Sequence, residues 1–113
     1  MATYKPFEVV VVPFPFTDSG TSRRRPALVL SNHEHFNKES GCCVLAMITS
    51  GKNRPWPLDV PIRNMEKAGL KAASKVRMKL FTLDVRFIVR KAGTLAPEDR
   101  KAVAAALVRL LAD

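Results

Sequence analysis

The sequence has 113 residues, the usual size of one domain, and residues 1–113 are expected to form a single domain. Apolar residues make up 47% of the chain and no long block of one charge sign occurs, so a packed core is expected and intrinsic disorder is excluded. Nineteen Lys and Arg against ten Asp and Glu give a formal net charge of +9, which favours polyanionic partners such as nucleic acids. Charge alone leaves open a generally basic protein with no nucleic-acid partner.

The N-terminus and the cysteines indicate the cellular setting. Residues 1–6 lack the basic stretch and apolar run of a secretory signal, and no window approaches the ~20 apolar residues of a membrane span. We therefore expect a cytoplasmic protein without membrane association. Cys42 and Cys43 are adjacent, a spacing that gives neither a disulfide framework nor a CxxC metal pair, so both are interpreted as small strand residues.

The N-terminal half contains three short apolar runs. Residues 8–13 include four consecutive valines, and a β-branched run closed by proline predicts a buried strand. Residues 27–30 and 44–48 predict the second and third strands. Between the first two runs, residues 15–22 are rich in turn-forming side chains and predict an exposed loop that ends in Arg23, Arg24 and Arg25.

The C-terminal half alternates strand and helix signals. Residues 58–60 lie among prolines and predict an edge strand, and residues 65–70 predict a short helical turn. Residues 75–82 alternate cations with apolar residues, so a strand there would carry a cationic row that faces solvent or ligand. Residues 87–89 predict the last strand.

A helix is predicted to close the chain, beginning near Pro97, because proline is favoured at the first helical position. Its apolar residues follow helical spacing and predict one stripe packed on the sheet: Val103, Ala106, Leu107, Leu110 and Leu111. Short strands with turns between them and one terminal helix indicate a mainly β protein, a small SH3-like antiparallel β-barrel with a C-terminal helix.

Few conventional catalytic groups are present. His33 and His35 are the only histidines, and a metal site would need a third ligand that the sequence does not supply, so no metal and no cofactor are expected. No glycine-rich phosphate loop or nucleophile elbow occurs. The cationic cluster that runs into residues 27–30 differs, because a strand would hold Arg25 rigidly and a fixed guanidinium binds phosphate well.

Several segments resemble the MazF/PemK toxin family of type II toxin-antitoxin systems. They are EVVVVPFPF at residues 8–16, RPALVLS at residues 25–31, MITS at residues 47–50, SKVR at residues 74–77, FTLD at residues 81–84, and GTL with the following Pro97. Their order and spacing match the family over nearly the whole chain.

The resemblance implies a homodimer that is a metal-independent endoribonuclease for single-stranded RNA, including mRNA. In this family the RNA's own 2′-hydroxyl makes the cut and leaves a 2′,3′-cyclic phosphate and a 5′-hydroxyl. By position, Arg25 and Thr49 are the implied catalytic residues. The implied substrate-binding residues are Arg23, Arg24, Ser50, Arg77 and Lys79. An acidic antitoxin protein is the implied inhibitor, with operator DNA bound only through the toxin-antitoxin complex.

Two departures from the family pattern and two alternatives accompany this interpretation. Lys79 stands where some members place an acidic residue, and Phe7-Glu8 stands where Gly-Asp is common, so proton transfer and substrate choice are not defined by the resemblance. Arg25 and Arg77 could instead be surface cations, and Thr49 could be an ordinary strand-ending residue. One alternative function is a gyrase-poisoning toxin, but that type carries a tryptophan close to its C-terminus, and Trp56 lies far from it. The other is a passive RNA-binding module, for which Trp56 and Tyr4 offer few stacking rings.

Overall fold

A computed structural model describes residues 3–13 and 23–112 of the chain. Six antiparallel strands form one curled sheet, a half-barrel, in the order β4-β5-β3-β2-β1-β6. The strands are β1 (Glu8–Pro13), β2 (Arg24–Val29), β3 (Cys42–Ser50), β4 (Val60–Pro61), β5 (Ser74–Asp84) and β6 (Arg90–Thr94). The predicted mainly β fold with a C-terminal helix is confirmed.

Three helices connect or close these strands. A π-helical turn (His33–Asn37) leads into the short α1 (Lys38–Ser40), and α2 is Met65–Ala68. The closing helix α3 is Pro97–Leu110 and has Pro97 in its first turn, as predicted. No helix within residues 3–13 and 23–112 is long and apolar enough to span a membrane.

The strands of the N-terminal half follow the predicted order, but β2 and β3 begin earlier than predicted. The valine run forms β1 with the predicted bounds. The second strand begins at Arg24, so Arg24 and Arg25 belong to β2 and pair with Pro13 and Val12 of β1, whereas the sequence placed them at the end of a loop. The predicted loop at residues 15–22 lies outside the described residues.

Strand alternation places a separate apolar cluster on each face of the sheet. One face, here called the helix face, packs against α3 and contains Val9, Leu28, Ala46, Ile48, Val76, Met78, Val103 and Ala106. The other, here called the second face, contains Val10, Val12, Ala27, Val29, Cys43 and Leu45. Both cysteines lie in β3 as predicted, and both are free thiols.

A bulge in β5 keeps this strand matched to both clusters. The pairing of β3 with β5 shifts between Ala46, which lies opposite Leu80, and Met47, which lies opposite Arg77. Met78 and Lys79 are therefore extra residues on β5. Because two residues are inserted, the strand bends without exchanging its faces, so Val76 and Leu80 both stay on the helix face.

Two predicted strands were wrong in position. Leu58 has a positive φ of 65° and Asp59 accepts from the backbone N–H of Trp56, so the chain turns there and the edge strand is only Val60–Pro61. Residues 85–87 form a 3₁₀ turn because Asp84 caps it at the N–H of Arg86. The last strand consequently begins at Arg90.

The two predicted helical segments, residues 65–70 and the closing helix, are confirmed in part. The turn at α2 ends at Gly69, whose φ of +74° suits glycine and terminates the helix. On α3, Val103 and Ala106 are buried against the sheet, but Leu110 and Leu111 are exposed. The predicted apolar stripe is therefore too long at its C-terminal end, since α3 extends past the edge of the apolar cluster.

Candidate functional site

The pairing of three strands brings Arg25 and Thr49 to the same level of the sheet. In the β2 and β3 pair, Ala27 lies opposite Met47, and continuing this register by two residues places Arg25 level with Thr49. Arg25 lies opposite Val12 of the second-face cluster, and Thr49 is an even number of residues from Leu45 of that cluster. Both side chains therefore lie on the second face, at the end opposite the start of β3.

Strand β5 adds two cations to this end of the second face. Lys75 lies opposite Thr49, and Arg77 lies opposite Met47. The sequence predicted that this cationic row faces solvent or ligand, and this prediction is wrong for its first two residues: Lys75 is only 7% exposed and Arg77 only 8%. Lys79, the third, is half-buried. The chain between β3 and β4 folds over Lys75 and Arg77. Arg77 is consequently not a solvated surface cation.

Asp59 lies between the two buried cations. Its Oδ1 accepts from Arg77 Nε at 3.2 Å, and its Oδ2 accepts from Arg77 Nη2 at 3.1 Å. Lys75 Nζ lies 3.4 Å from Oδ2. The backbone N–H of Trp56 donates to the same oxygen at 2.8 Å. One carboxylate therefore partly neutralises two cations and also fixes the loop that covers them.

The ionisation of Asp59 is set by opposing effects. Burial of the carboxyl group acts to raise its pKa, but the hydrogen bonds from Arg77 and from the Trp56 amide, the charge of Arg77 and the hydrogen bond from Lys75 outweigh burial and lower the pKa below the ordinary value. Asp59 is therefore an ionised anchor at neutral pH. A carboxylate with a lowered pKa is a poor general base.

Two backbone carbonyls and one amide complete the loop's attachment. Lys75 Nζ donates to the carbonyl of Asn53 at 2.6 Å, and Arg77 Nη2 donates to the carbonyl of Arg54 at 2.6 Å. The side-chain amide of Asn53 donates to the hydroxyl of Thr49. Thr49 is 4% exposed and accepts one hydrogen bond here, and its own O–H can still donate.

Trp56 lies at the outer surface of this group. The residue is 45% exposed, and the guanidinium carbon of Arg77 lies 5.1 Å from the centroid of its ring. Lys79 Nζ, in the bulge of β5, lies 6.0 Å from the same centroid. The loop therefore presents an aromatic ring with cations beside it. We call Thr49, Asn53, Trp56, Asp59, Lys75 and Arg77 the loop site.

The other predicted substrate-binding residues are distributed around this group. Arg23 and Arg24 are exposed, and Arg24, one residue before Arg25, lies on the alternate face of β2. Ser50 likewise alternates with Thr49 and is exposed at the end of β3. The second face therefore brings together Arg25, Thr49, Arg77 and Lys79, but not Arg24 or Ser50.

A cleft of about 500 Å³ adjoins the first residues of β2. Its walls include four cations, Arg24, Arg25, Lys71 and Arg90, together with the backbone around Gly69. Arg25 thus lines this cleft and also stands level with Thr49 on the neighbouring strand. Because Arg24 and Pro26 alternate with Arg25 on β2, they share the side of Leu28, and the cleft lies mainly on the helix-face side of the sheet.

The two histidines lie away from these groups. His33 is half-buried and His35 is exposed, and both belong to the helical turn that follows β2, at the opposite end of the strand from Arg25. Among the described residues, no three His, Cys, Asp or Glu side chains come close enough to hold a metal ion.

Sequence reasoning missed Asp59, Asn53 and Trp56 as site residues. One signal was available: Asp59 is the only acidic residue between Glu39 and Glu66. A lone carboxylate in a basic segment, preceding a strand with alternating cations, is a candidate partner for those cations. The register that brings it to Lys75 and Arg77 is not readable from the sequence.

The chain thus belongs to a class of small basic proteins with a curled antiparallel sheet closed by a helix, in which an arginine and a threonine stand level on adjacent strands. A model of the family described as PemK-like, MazF-like toxin of type II toxin-antitoxin system matches residues 5–111, and the chain belongs to this family.

Solved structures support the fold. The chain is similar to MazF from Deinococcus radiodurans, at 20% identity and TM-score 0.74 over 97% of each chain. It is also similar to a MazE-MazF structure from the same organism, at 21% identity and TM-score 0.75 over 96% of each chain. A third is an endoribonuclease in complex with its cognate antitoxin from a mycobacterial species, at 18% identity and TM-score 0.72 over 96% of this chain and 93% of that one. Comparison with curated proteins gave no match.

Proposed function

We propose that this toxin is a metal-independent endoribonuclease that cleaves single-stranded RNA, including mRNA, with Arg25 and Thr49 at the cut phosphate. The observation that carries the proposal is that Arg25 and Thr49 stand level on β2 and β3, on one face of the sheet, next to the cations of β5. The similarity to a structure described as an endoribonuclease also supports it.

The proposed step needs no group beyond the RNA and the protein. The 2′-oxygen of the ribose attacks the adjacent phosphorus, and the bond from phosphorus to the 5′-oxygen of the next nucleotide breaks. The 2′-hydroxyl gives up its proton and the departing 5′-oxygen gains one, so the products are a 2′,3′-cyclic phosphate and a 5′-hydroxyl. Negative charge grows on the non-bridging phosphate oxygens during attack, and a guanidinium with two parallel donors suits them.

Thr49 is proposed to donate its hydroxyl hydrogen to a phosphate oxygen. The amide of Asn53 already donates to the Thr49 oxygen, which restricts the direction in which the hydroxyl hydrogen can point. A threonine hydroxyl is a weak base, so Thr49 is assigned orientation and hydrogen bonding and not proton removal. The residue that carries the proton is left unassigned.

The remaining predicted substrate-binding residues are proposed to act in different ways on the RNA. Arg23 and Arg24 are exposed and would attract the phosphate backbone from solution. Arg77 is committed to Asp59 and to the carbonyl of Arg54, so its proposed part is to position the loop site next to the substrate. Lys79 and Ser50 are proposed to contact nucleotides that flank the cut.

The proposed partners of this chain are an antitoxin, operator DNA and a second copy of the chain. An acidic antitoxin would cover the cationic surface, and the similarity to an endoribonuclease in complex with its cognate antitoxin and to a MazE-MazF structure supports an antitoxin partner. Operator DNA would bind only through the toxin-antitoxin complex. The active form is proposed to be a homodimer, and an enzyme that cuts mRNA would act in the cytoplasm.

The decisive experiment compares two arginines that carry the same charge. The purified chain is incubated with a long RNA in the presence of a chelator, and the ends are mapped by primer extension. Arg25→Lys keeps the charge but loses the paired donors, so we expect the cleavage rate to fall by about 10²–10³ while RNA affinity changes little. The matched control is Arg23→Lys, which should cleave at nearly the normal rate.

Three outcomes would count against the proposal. Equal losses in Arg25→Lys and Arg23→Lys that both vanish at low salt would make the arginines a diffuse phosphate-binding patch. Activity lost in the chelator and restored by Mg²⁺ would refute the metal-independent step. Cleavage of single-stranded DNA at a similar rate would refute attack by the 2′-hydroxyl.

A further inference from the structure

We propose that Trp56 is a stacking platform for one unpaired nucleobase of the RNA, beside the phosphate held by Arg25 and Thr49. This inference rests on the proposed function and names a specificity residue for it. It also revises the interpretation from sequence, in which Trp56 offered little support for stacking.

Trp56 is far more exposed than the apolar side chains of the second-face cluster nearby. The second-face cluster buries its valines and Leu45 completely, whereas Trp56 keeps 45% of its surface exposed. Burying a large apolar side chain stabilises a fold, so leaving the ring partly exposed forgoes part of that gain. A ligand that covers the ring would recover it.

The ring is held in place before any ligand arrives. The backbone N–H of Trp56 donates to Asp59, and Pro55 and Pro57 on either side restrict the backbone. Arg77 lies 5.1 Å from the ring centroid and is itself fixed by Asp59 and the Arg54 carbonyl. Little conformational freedom remains to be lost on binding, which favours affinity.

The location of the ring fits a nucleotide that neighbours the cut. Arg77 is two residues from Lys75, which lies opposite Thr49, and two residues of strand span about 7 Å. Both cations lie on the same face as Thr49. A base stacked on Trp56 would therefore belong to a nucleotide next to, or very near, the phosphate at Thr49.

The chemistry of the ring selects an unpaired base. Every nucleobase has an aromatic face, so stacking tolerates different sequences, but a base inside a duplex has both faces covered by its neighbours. Trp56 therefore provides a physical reason for preferring single strands. A purine should bind better than a pyrimidine because it covers more of the ring.

Trp56 is the only tryptophan of the chain, so its fluorescence reports directly on this contact. The probes are mixed-sequence single-stranded oligonucleotides with 2′-O-methyl ribose, which the proposed reaction cannot cut. We expect saturable quenching by single strands and much weaker quenching by the matching duplexes. Binding is measured here without turnover, so failure of RNA cleavage and failure of stacking give different results.

Variants then measure the size of the contact by fluorescence anisotropy of labelled oligonucleotide. Base stacking is worth about 1–3 kcal/mol, so Trp56→Leu should weaken binding roughly 5- to 150-fold, and Trp56→Phe should retain most of the affinity. The matched control is Phe87→Leu. Phe87 is 56% exposed and lies beside Arg86, with the guanidinium carbon 6.0 Å from the ring centroid, but it is in the 3₁₀ turn that follows β5. Its replacement should leave binding unchanged.

An abasic residue moved along the oligonucleotide keeps the test valid if Trp56→Leu folds poorly. One abasic position should weaken binding to the unsubstituted protein by a factor similar to that of Trp56→Leu. The same position should weaken binding to Trp56→Phe by about the same factor, because Phe still stacks on the base. Affinity of Trp56→Leu within twofold of normal would overturn the proposal. So would equal losses in Trp56→Leu and Phe87→Leu, or an abasic scan in which no position matters.

Discussion

Asp59 is expected to contribute more to stability than any exposed ion pair of the protein, because it is the acidic partner of two buried cations. Replacing it by asparagine keeps the shape and one acceptor oxygen, so the Trp56 N–H can still be satisfied. Lys75 and Arg77 would then keep only the carbonyls of Asn53 and Arg54 as acceptors.

The magnitude follows from the burial of the partners. The side chains of Lys75, Arg77 and Asp59 are 9%, 10% and 11% exposed. Removing one partner of a buried ion pair costs about 3–5 kcal/mol, and the remaining carbonyl contacts argue for the lower end, about 3 kcal/mol. The free energy of unfolding is measured by urea titration with circular dichroism at a fixed protein concentration, since association would otherwise change it.

The dependence on pH provides a second readout. The folded-state pKa of Asp59 is lowered, so its contribution is complete above the unfolded value of about 3.9 and is lost as the pH falls through the folded pKa. The difference between the protein and Asp59→Asn should be constant near neutral pH and should shrink in acid. Asp84→Asn is the matched control, because Asp84 pairs with Arg86 at the surface and its loss should be far smaller.

A loss below about 1 kcal/mol in Asp59→Asn would refute the reasoning, since that is the range of a solvent-screened pair. A difference that did not shrink in acid would also contradict it. The double variant Asp59→Asn/Arg77→Met should lose less than the sum of the single variants, because removing the cation also removes its unpaired burial.

Three further predictions concern the scaffold. Asp99 is buried and accepts the backbone N–H groups of Arg63 and Asn64, so Asp99→Ala should lower the free energy of unfolding by about 1–3 kcal/mol in urea titration, and a neutral result would contradict its part as an anchor. Gly69→Ala would place a Cβ 2.1 Å from a backbone carbonyl oxygen at a φ of +74°, so a loss of about 2–4 kcal/mol is expected, and a gain in melting temperature would refute it. Burial raises the pKa of Cys43 to about 11, so iodoacetamide at pH 8 should label Cys43 only after unfolding. For the same reason the free energy of unfolding should fall as the pH rises from about 9 towards 11. Rapid labelling of Cys43 in the folded protein, located by mass spectrometry, would contradict both expectations.

Much of the fold could be predicted because local patterns and packing agree. The valine run of β1, the turn ended by Gly69 and the proline at the start of α3 each indicate one structure by a local signal, and the structure has it. The errors occurred where a local cap overrode an apolar run. Residues 87–89 looked like a strand, but the carboxylate of Asp84 stabilises a turn at that point and delays the strand to Arg90.

The candidate site was harder to predict because its contacts are non-local. The alternation of β5 correctly placed Lys75, Arg77 and Lys79 on one side of the strand, but it could not show that the chain before β4 covers Lys75 and Arg77. Burial of the cations depends on Asp59, which is eighteen residues from Arg77 in sequence. The assignment of Arg25 and Thr49 to catalysis came from resemblance and stays a prediction.

The bulge and register that unite β2, β3 and β5 also have a consequence for the order of folding. Neither Arg25 and Thr49 nor Asp59 and Arg77 are neighbours along the chain, so their arrangement forms only after strands distant in sequence have paired. Pairings of this kind are slow because the intervening loops must close first. A nascent or partly folded chain therefore lacks the cationic arrangement until the sheet has closed.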